Sequence, residues 1–443
     1  MSTPAVGAIG SLVGMDSTTV RVGLLGCGNV GGALAELILT DGPGIEARTG
    51  IRLELAKVAV RSTTRERPVP MPSGLLTHDA SSVVNDGSLD VVVELIGGIE
   101  PARSLILDAL KSGKPVVTAN KELLANCGPE LVAAAATAGV DLLFEASVGG
   151  GIPLIRPLRE SLAGERIRRV MGIVNGTTNY ILTRMTEAGA SYPDALAEAQ
   201  QLGYAERDPT ADVEGFDAAA KAAILASIAF GVRIVAGDVY REGISGVTSA
   251  DIGYARRLGY VVKLLAVAER AANGEVAVRV HPAMIPSEHP LAAVRESFNA
   301  VFLEGDAVGD LMFYGRGAGG MPTASAVLGD LLDAAHNLRS GGTGRTVALE
   351  PAAIRPIDDL ESQYYLNLEV VDRPGVLAAV AGVFGEHRVS IKSMEQEGLG
   401  DEARLVFITH RARESDVQGC LADLHHLDAV DRIGGLLRVI GPE

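Results

Sequence analysis

Val20–Leu25 is a short apolar strand that runs straight into Gly26-Cys27-Gly28-Asn29-Val30-Gly31, and Ala33–Leu39 behind it reads as a helix. No other stretch restricts the fold as much. A G-x-G-x-x-G turn between a strand and a helix lets backbone amides at the helix N-terminus approach a pyrophosphate, and it opens a doubly wound sheet. The pattern alone says little in a chain with 53 glycines; its strand–turn–helix setting carries the reading. Cys27 fills a small position within the turn, or is a redox-sensitive thiol.

The second strand, Leu53–Val60, follows a Gly/Pro-rich segment, Thr40–Gly50, that reads as a loop. It ends at Arg61, with Arg65 and Arg67 close behind and Glu66 as the nearest acid. An acid at this strand end suits the ribose hydroxyls of NAD, whereas an arginine suits a 2′-phosphate. Arg61 therefore favours NADP(H) over NAD(H), with a solvated basic loop as the other reading. Asp90–Gly98, Pro115–Lys121 and Leu142–Glu145 read as further strands, with a helix over Pro101–Lys111. Ligands of such sheets lie outside the carboxyl ends of the strands, where Thr118, Asn120 and Lys121 stand.

Beyond about Pro153 the pattern changes to that of an α+β domain with an open sheet. Strands are expected at Arg169–Val174, Gly274–Met284 and Ala300–Glu304, and a helix between Asp251 and Arg270. Gly203–Lys221 holds five acids (Glu206, Asp208, Asp212, Glu214, Asp217) and the lone Lys221 ahead of an apolar helix. Asp217 and Lys221, four apart, share a helix face. They form either an ordinary ion pair or a catalytic acid held by its partner. A second glycine-rich turn, Gly315–Thr323, precedes a helix that returns to the first domain.

The expected organisation is an extension over 1–19, a Rossmann-type nucleotide-binding domain over 20–152 rejoined by a helix at 322–338, and a substrate-binding and dimerisation domain over 153–321. A linker over 339–360 leads to a βαββαβ, ferredoxin-like domain over 361–443. A net charge of −16 argues against nucleic acid or an anionic membrane as partner. Three cysteines without pairing or metal-ligand spacing suit a reducing cytoplasm. The N-terminus lacks the pattern of a signal peptide, and no run is long enough to span a membrane.

Taken in one order, the glycine turn, Val116–Lys121, Val174-Asn175-Gly176-Thr177-Thr178-Asn179-Tyr180-Ile181-Leu182 and Gly203–Lys221 closely resemble homoserine dehydrogenase over about Val20–Leu338. Asp372-Arg373-Pro374-Gly375-Val376-Leu377 and its surrounding pattern look like an ACT domain. Together they resemble the monofunctional members that carry such a tail. The resemblance implies NAD(P)H-dependent reduction of L-aspartate 4-semialdehyde to L-homoserine on the route to threonine and methionine. It implies Lys221 as proton donor and Asp217 as its partner, Glu206 as a substrate carboxylate with Asp212 in the same pocket, and Lys121 at the cofactor–substrate junction. Glu206 or Asp217 would hold the substrate ammonium. Gly26, Gly28, Asn29, Val30 and Gly31 match the pyrophosphate turn, and Arg61, Thr118, Gly203 and Gly319 complete the expected cofactor contacts. A monovalent cation, usually sodium, would sit at Glu145 and the carbonyls of Val148, Gly150 and Ile152, a stretch that otherwise reads as a tight glycine turn. Threonine feedback through the Gly375 turn and a homodimer or homotetramer are further implications. Another nicotinamide-dependent amino-acid dehydrogenase and a non-catalytic amino-acid sensor are the alternatives.

Overall fold

The computed structural model describes residues 18–67, 69–344, 349–398 and 402–441. Of the expected N-terminal extension, residues 1–17 lie outside the described residues; Thr18 and Thr19 already belong to β1 (Thr18–Leu25). The first domain continues with α1 (Asn29–Thr49), β2 (Ile51–Ala59), β3 (Leu76–Thr77), α2 (Ala80–Val84), β4 (Val91–Glu94), α3 (Ala102–Lys111), β5 (Val116–Thr118), α4 (Lys121–Ala138) and β6 (Leu142–Leu143). Its six strands lie in the order β3-β2-β1-β4-β5-β6, every pairing parallel. That is the order of a doubly wound dinucleotide fold.

Thr40–Gly50 is not the loop its glycines and proline suggest, because α1 runs through it to Thr49 with Pro43 inside. A proline removes one helical hydrogen bond, but tertiary packing decides here. Ile38 and Ile45, two turns apart, stay buried on one face, Arg48 pairs with Asp41 at 2.8 Å, and Gly50 at φ 70° closes the helix.

The second domain comprises α5 (Ile155–Arg159), β7 (Ile167–Ile173), α6 (Gly176–Ala188), α7 (Tyr192–Gln201), α8 (Thr210–Val213), α9 (Phe216–Phe230), β8 (Val232–Arg233), β9 (Tyr240–Arg241), α10 (Ser249–Arg257), β10 (Tyr260–Arg270), β11 (Val276–Pro286), β12 (Phe298–Gly305) and β13 (Gly309–Arg316). The helix expected between Asp251 and Arg270 ends at Arg257, and the rest is strand. Gly259 at φ 82° breaks the helix. Behind it, Val261–Val267, apolar or β-branched except for Lys263, pairs along its whole length with β11, and valines favour such a setting. Helix α11 (Gly320–Ser340) buries Ala324, Val327, Leu331, Ala334 and Ala335 in the core of the nucleotide-binding domain.

In the expected linker, β14 (Glu350–Pro351) pairs with β8 and Ile354 bridges Val276, so this segment is laid down on the second domain. The C-terminal domain follows as β15 (Glu361–Val371), α12 (Val376–Glu386), β16 (Ile391–Gly398), β17 (Glu402–Thr409), β18 (Ala412–Arg413), α13 (Glu414–Leu424) and β19 (Val430–Val439). Its sheet does not stand apart. β19 pairs in parallel with β11 at Ala283–Arg438 and Met284–Val439, giving one eleven-stranded sheet whose main path is β13-β12-β7-β10-β11-β19-β15-β17-β16. No described helix is long and apolar enough to cross a membrane.

Candidate active site

The glycine turn is shaped by close backbone approach. A Cβ on Gly26 would lie 2.6 Å from the Leu95 carbonyl oxygen, and one on Gly31 would lie 2.2 Å from that of Gly26. Gly26 (φ 94°) donates its N–H to Ala59 at 2.9 Å, which ties the turn to the end of β2. A Cβ on Gly28 would meet nothing within 4 Å, and Gly28 gives α1 no side-chain cap. Asn29 and Val30 therefore begin the helix with backbone donors left for a ligand. Such an N-terminus suits a pyrophosphate. Gly320 abuts this turn, since a Cβ there would lie 2.7 Å from Asn29 Oδ1; Gly319, at φ 123°, precedes it.

Arg61 is exposed at the end of β2. Arg67 folds back on the same loop, donating to the Ser62 and Arg65 carbonyls at 2.5 and 2.7 Å. Burial pushes the Cys27 thiol up, against the opposing effect of Arg67 beside it. A thiol is reactive as its thiolate, so Cys27 fits the role of a small filler better than that of a redox switch.

Two residues hold the carboxyl ends of the strands: Glu94, which no motif singled out, and Asn120 of the Val116–Lys121 motif. Glu94, fully buried, accepts from the Ile96 and Gly97 amides at 2.7 and 3.1 Å and from Thr118 Oγ1 at 2.6 Å. Asn120 caps α4 through the Leu123 amide and donates to Gly98 at 2.7 Å. Thr118 thus faces Glu94, and Lys121 is the first residue of α4.

In the second domain, Gly215 (φ 79°) starts α9, whose first two turns carry Asp217 and Lys221. Lys221 is buried, with Nζ donating to the Val174 carbonyl and to Asp217 Oδ2, both at 2.7 Å. Lys121 reaches over from the first domain to pair with Asp217 Oδ1. Asn175, at the end of β7, donates from its amide to Asp212 at 2.6 Å and to Asp217 at 2.9 Å. It also caps α6 through the Thr178 amide.

The charges around Asp217 separate in behaviour. Burial works against its carboxylate, but the Lys221 and Lys121 ammoniums outweigh that and hold its pKa well below the carboxylate range. Burial lowers Lys221 below the ordinary lysine range despite Asp217. Lys121, more open, is raised: burial opposes the shift and Asp217 overcomes it. Burial raises Asp212, with Asn175 opposing. The two lysines are thereby split into one that gives up its proton more readily and one that keeps it.

Glu206 is exposed on the turn after α7, outside the Lys121–Asp217–Lys221 cluster. Gly203, at φ 76°, lies at the end of α7 with open space around it. Both Glu145 carboxylate oxygens are occupied: they accept from the amides of Leu154, Ile155 (2.9 Å) and Arg156 (2.7 Å) and so hold the start of α5. Asp330 accepts the Glu145 amide at 2.7 Å, and burial raises Asp330 to about 7. No group of three or more His, Cys, Asp or Glu among the described residues could hold a metal ion. Oxygen donors in Val148–Ile152 would be backbone carbonyls.

The carboxyl ends of a parallel dinucleotide sheet meet, through the Lys121–Asp217 pair, a buried lysine held by that carboxylate and by the Val174 carbonyl. That combination defines a nicotinamide-dependent oxidoreductase. Residues 153–332 match the homoserine dehydrogenase family model, 26–145 the homoserine dehydrogenase NAD-binding domain, and 364–429 the ACT domain. The homoserine dehydrogenase of Mycobacterium tuberculosis is 50% identical over 437 residues, covering 96% of this chain and 99% of its own. That of Corynebacterium glutamicum is 49% identical over 429 residues, covering 95% and 96%. The crystal structure of a homoserine dehydrogenase from Thiobacillus denitrificans superposes with a TM-score of 0.90 at 42% identity, covering 96% of this chain and 98% of that one. The chain belongs to the homoserine dehydrogenase family, and it is an oxidoreductase with a C-terminal ACT domain.

Proposed function

We propose that Lys221 is the proton donor when L-aspartate 4-semialdehyde is reduced to L-homoserine, and the acceptor in reverse, on the route to threonine and methionine. The observation that supports it is the placement of a buried, pKa-lowered ammonium against Asp217 and the Val174 carbonyl. Bound along the glycine turn, a nicotinamide dinucleotide supplies or takes up the hydride. As the aldehyde oxygen gains negative charge, Lys221 donates a proton to it while Asp217 and Val174 fix the direction of Nζ. Lys121, which holds its proton more tightly, stays charged and stabilises the same oxygen or the substrate carboxylate. Asp217 already accepts from two lysines and Asn175, so it orients them. Glu206 is left to meet the substrate ammonium, with Asp212 lining the pocket. Spectroscopic assay with homoserine and NADP tests the reaction; no homoserine-dependent absorbance change would refute it.

The preference for NADP(H) is supported by Arg61, exposed just past the end of β2, since an arginine there suits a 2′-phosphate. A hyperthermophilic archaeal relative, 29% identical with a TM-score of 0.60 and covering 72% of this chain, is described in complex with NADPH. Arg61→Asp should lower kcat/KM for NADPH about tenfold, the loss of one charged phosphate contact, and leave NADH within about twofold. Equal losses for both cofactors would remove Arg61 from this role. Gly26, Gly28, Asn29, Val30, Gly31, Thr118, Gly203 and Gly319 complete the proposed cofactor contacts. For a cation, the neutral carbonyls of Glu145, Val148, Gly150 and Ile152 suit sodium better than a divalent ion, because the one carboxylate in the segment is already committed.

An open cleft of about 480 Å³ in the ACT domain is lined by Asp372, Arg373, Gly375 and Gln396. An acid beside an arginine suits the ammonium and carboxylate of a free amino acid, and threonine is the proposed effector. Calorimetry on the intact chain should give saturable heat with threonine that Arg373→Ala abolishes; no heat from the parent would rule threonine out. The open sheet edges at β13 and β16 are compatible with a homodimer or homotetramer. A cytoplasmic setting fits the free Cys27, Cys127 and Cys420.

A further inference from the structure

A buried arginine of the ACT domain is bonded to the segment that packs against the start of α9. Arg438 lies on β19, in register with Ala283 of β11, and is only 1% exposed. Its Nε donates to Glu414 Oε2 at 2.9 Å, at the start of α13. Its other arm, Nη1, donates to Glu242 Oε1 at 2.8 Å in the second domain. Tyr364 adds its hydroxyl to Glu414 at 2.8 Å and Tyr240 adds its own to Glu242 at 2.5 Å. One guanidinium thus joins a carboxylate of the regulatory module to a carboxylate of the substrate domain, a geometry that suits its fixed fork of donors.

Glu242 leads directly to the start of α9. Its amide bonds the Val280 carbonyl at 2.7 Å, and two residues on, Ile244 donates to Val213 at 2.8 Å. Between them, a Cβ on Gly243 would lie 2.4 Å from the Val213 carbonyl oxygen, and one on Gly215 would lie 3.3 Å from that of Glu242. Arg241 stacks over the Phe216 ring at 3.7 Å. Segment 240–244 therefore grips the turn from Val213 to Phe216 from several sides. That turn follows Asp212 and precedes Asp217 by one residue.

The geometry points to Arg438 and Glu242 as positioning residues of the active site: the ACT domain, through this pair, sets the turn that aims Asp217 and Lys221. This deepens the proposed function and rests on its assignment of Lys221. The pair touches no substrate. It acts by holding the turn in register, and small misplacements of reacting groups cost rate steeply.

The variants use the intact chain. Arg438→Met would leave Glu414 buried without its cation and could unfold the protein, so Glu242→Ala is the main test. It leaves the Arg438–Glu414 pair in place and removes the carboxylate that joins segment 240–244 to Arg438, together with the acceptor of the Tyr240 hydroxyl. The expected result is a kcat lower by about tenfold with KM for homoserine within about twofold. Amide hydrogen exchange should be faster over 213–221 and unchanged in the nucleotide-binding domain. Glu242→Gln, which keeps an acceptor oxygen for Arg438 and Tyr240, should recover most of the rate. A parental kcat in Glu242→Ala would overturn the proposal, as would equal losses in the Ala and Gln variants or exchange that rises throughout the chain. A parallel Lys221→Met separates the two readings: if that variant keeps its rate, the assignment of Lys221 fails whatever Glu242 does.

Discussion

Lys221→Met should lower kcat by about 10²- to 10⁴-fold, the range over which a positioned general acid acts, in both directions of the reaction. Methionine keeps the length and apolar stem, so α9 retains its packing, and Lys121 and Asn175 remain as partners of the Asp217 carboxylate. Rate against pH carries the sharper signature. Lys221 titrates below the ordinary lysine range because it is buried. Reduction needs the ammonium, so the parent loses reductive rate as pH rises through that lowered pKa. Oxidation needs the amine and gains rate over the same interval. Both limbs should vanish in Lys221→Met. A parental rate in this variant, with a collapse in Lys121→Met, would exchange the roles of the two lysines.

Asp217→Asn should cost both rate and stability. The carboxylate stands between two ammoniums, and removing its charge leaves Lys221 without compensation in a buried site. Breaking such a pair from one side costs about 3–5 kcal/mol; Lys121, with its side chain 44% exposed, can turn to water and contributes less. kcat should fall about 10²-fold, because Lys221 loses the group that aims it. Asp217 also raises the Lys221 pKa, so its loss moves the alkaline limb of reduction to lower pH. The sign for stability follows from the depressed pKa of Asp217. Its contribution is present above the unfolded value of about 3.9 and fades as pH falls through the folded one. Chemical denaturation should therefore separate parent and variant most at neutral pH and least in strong acid. Equal stability at pH 7 would contradict the ion-pair reading.

The parts of the site legible in the sequence are those set by short spacings. The glycine turn lies between a strand and a helix, and Asp217 and Lys221 share a face because they stand four apart. What stayed hidden depends on contacts between distant segments. Asn175 was visible within a motif, but its bridge from Asp212 to Asp217 needs β7, α8 and α9 in place. Glu94 reads as an interior residue of the expected strand Asp90–Gly98, and only the fold ends that strand at Glu94 and turns its carboxylate onto the next loop and Thr118. The resemblance implies a cation at Glu145 without saying which of its oxygens is available, and only the fold shows the side chain holding the amides that open α5. For β10, an apolar run with partners on both sides carries no clear period, and its identity comes from pairing with β7 and β11. Arg438 gave no signal at all, since its partners Glu242 and Glu414 lie far away along the chain.

The shared sheet has a consequence for how this chain can be cut or recombined. Modules joined by a tether can be exchanged like beads on a string, because each keeps its own closed surface. Here the outermost strand of the regulatory module is also the neighbour of β11. A chain ending before Glu361 would uncover backbone donors and acceptors along Ala283 and Met284, whose side chains are fully buried in the intact molecule. A bare apolar edge of that kind is a template for another copy to add to. The C-terminal strand is thus also the cover over this one edge of the second domain's sheet.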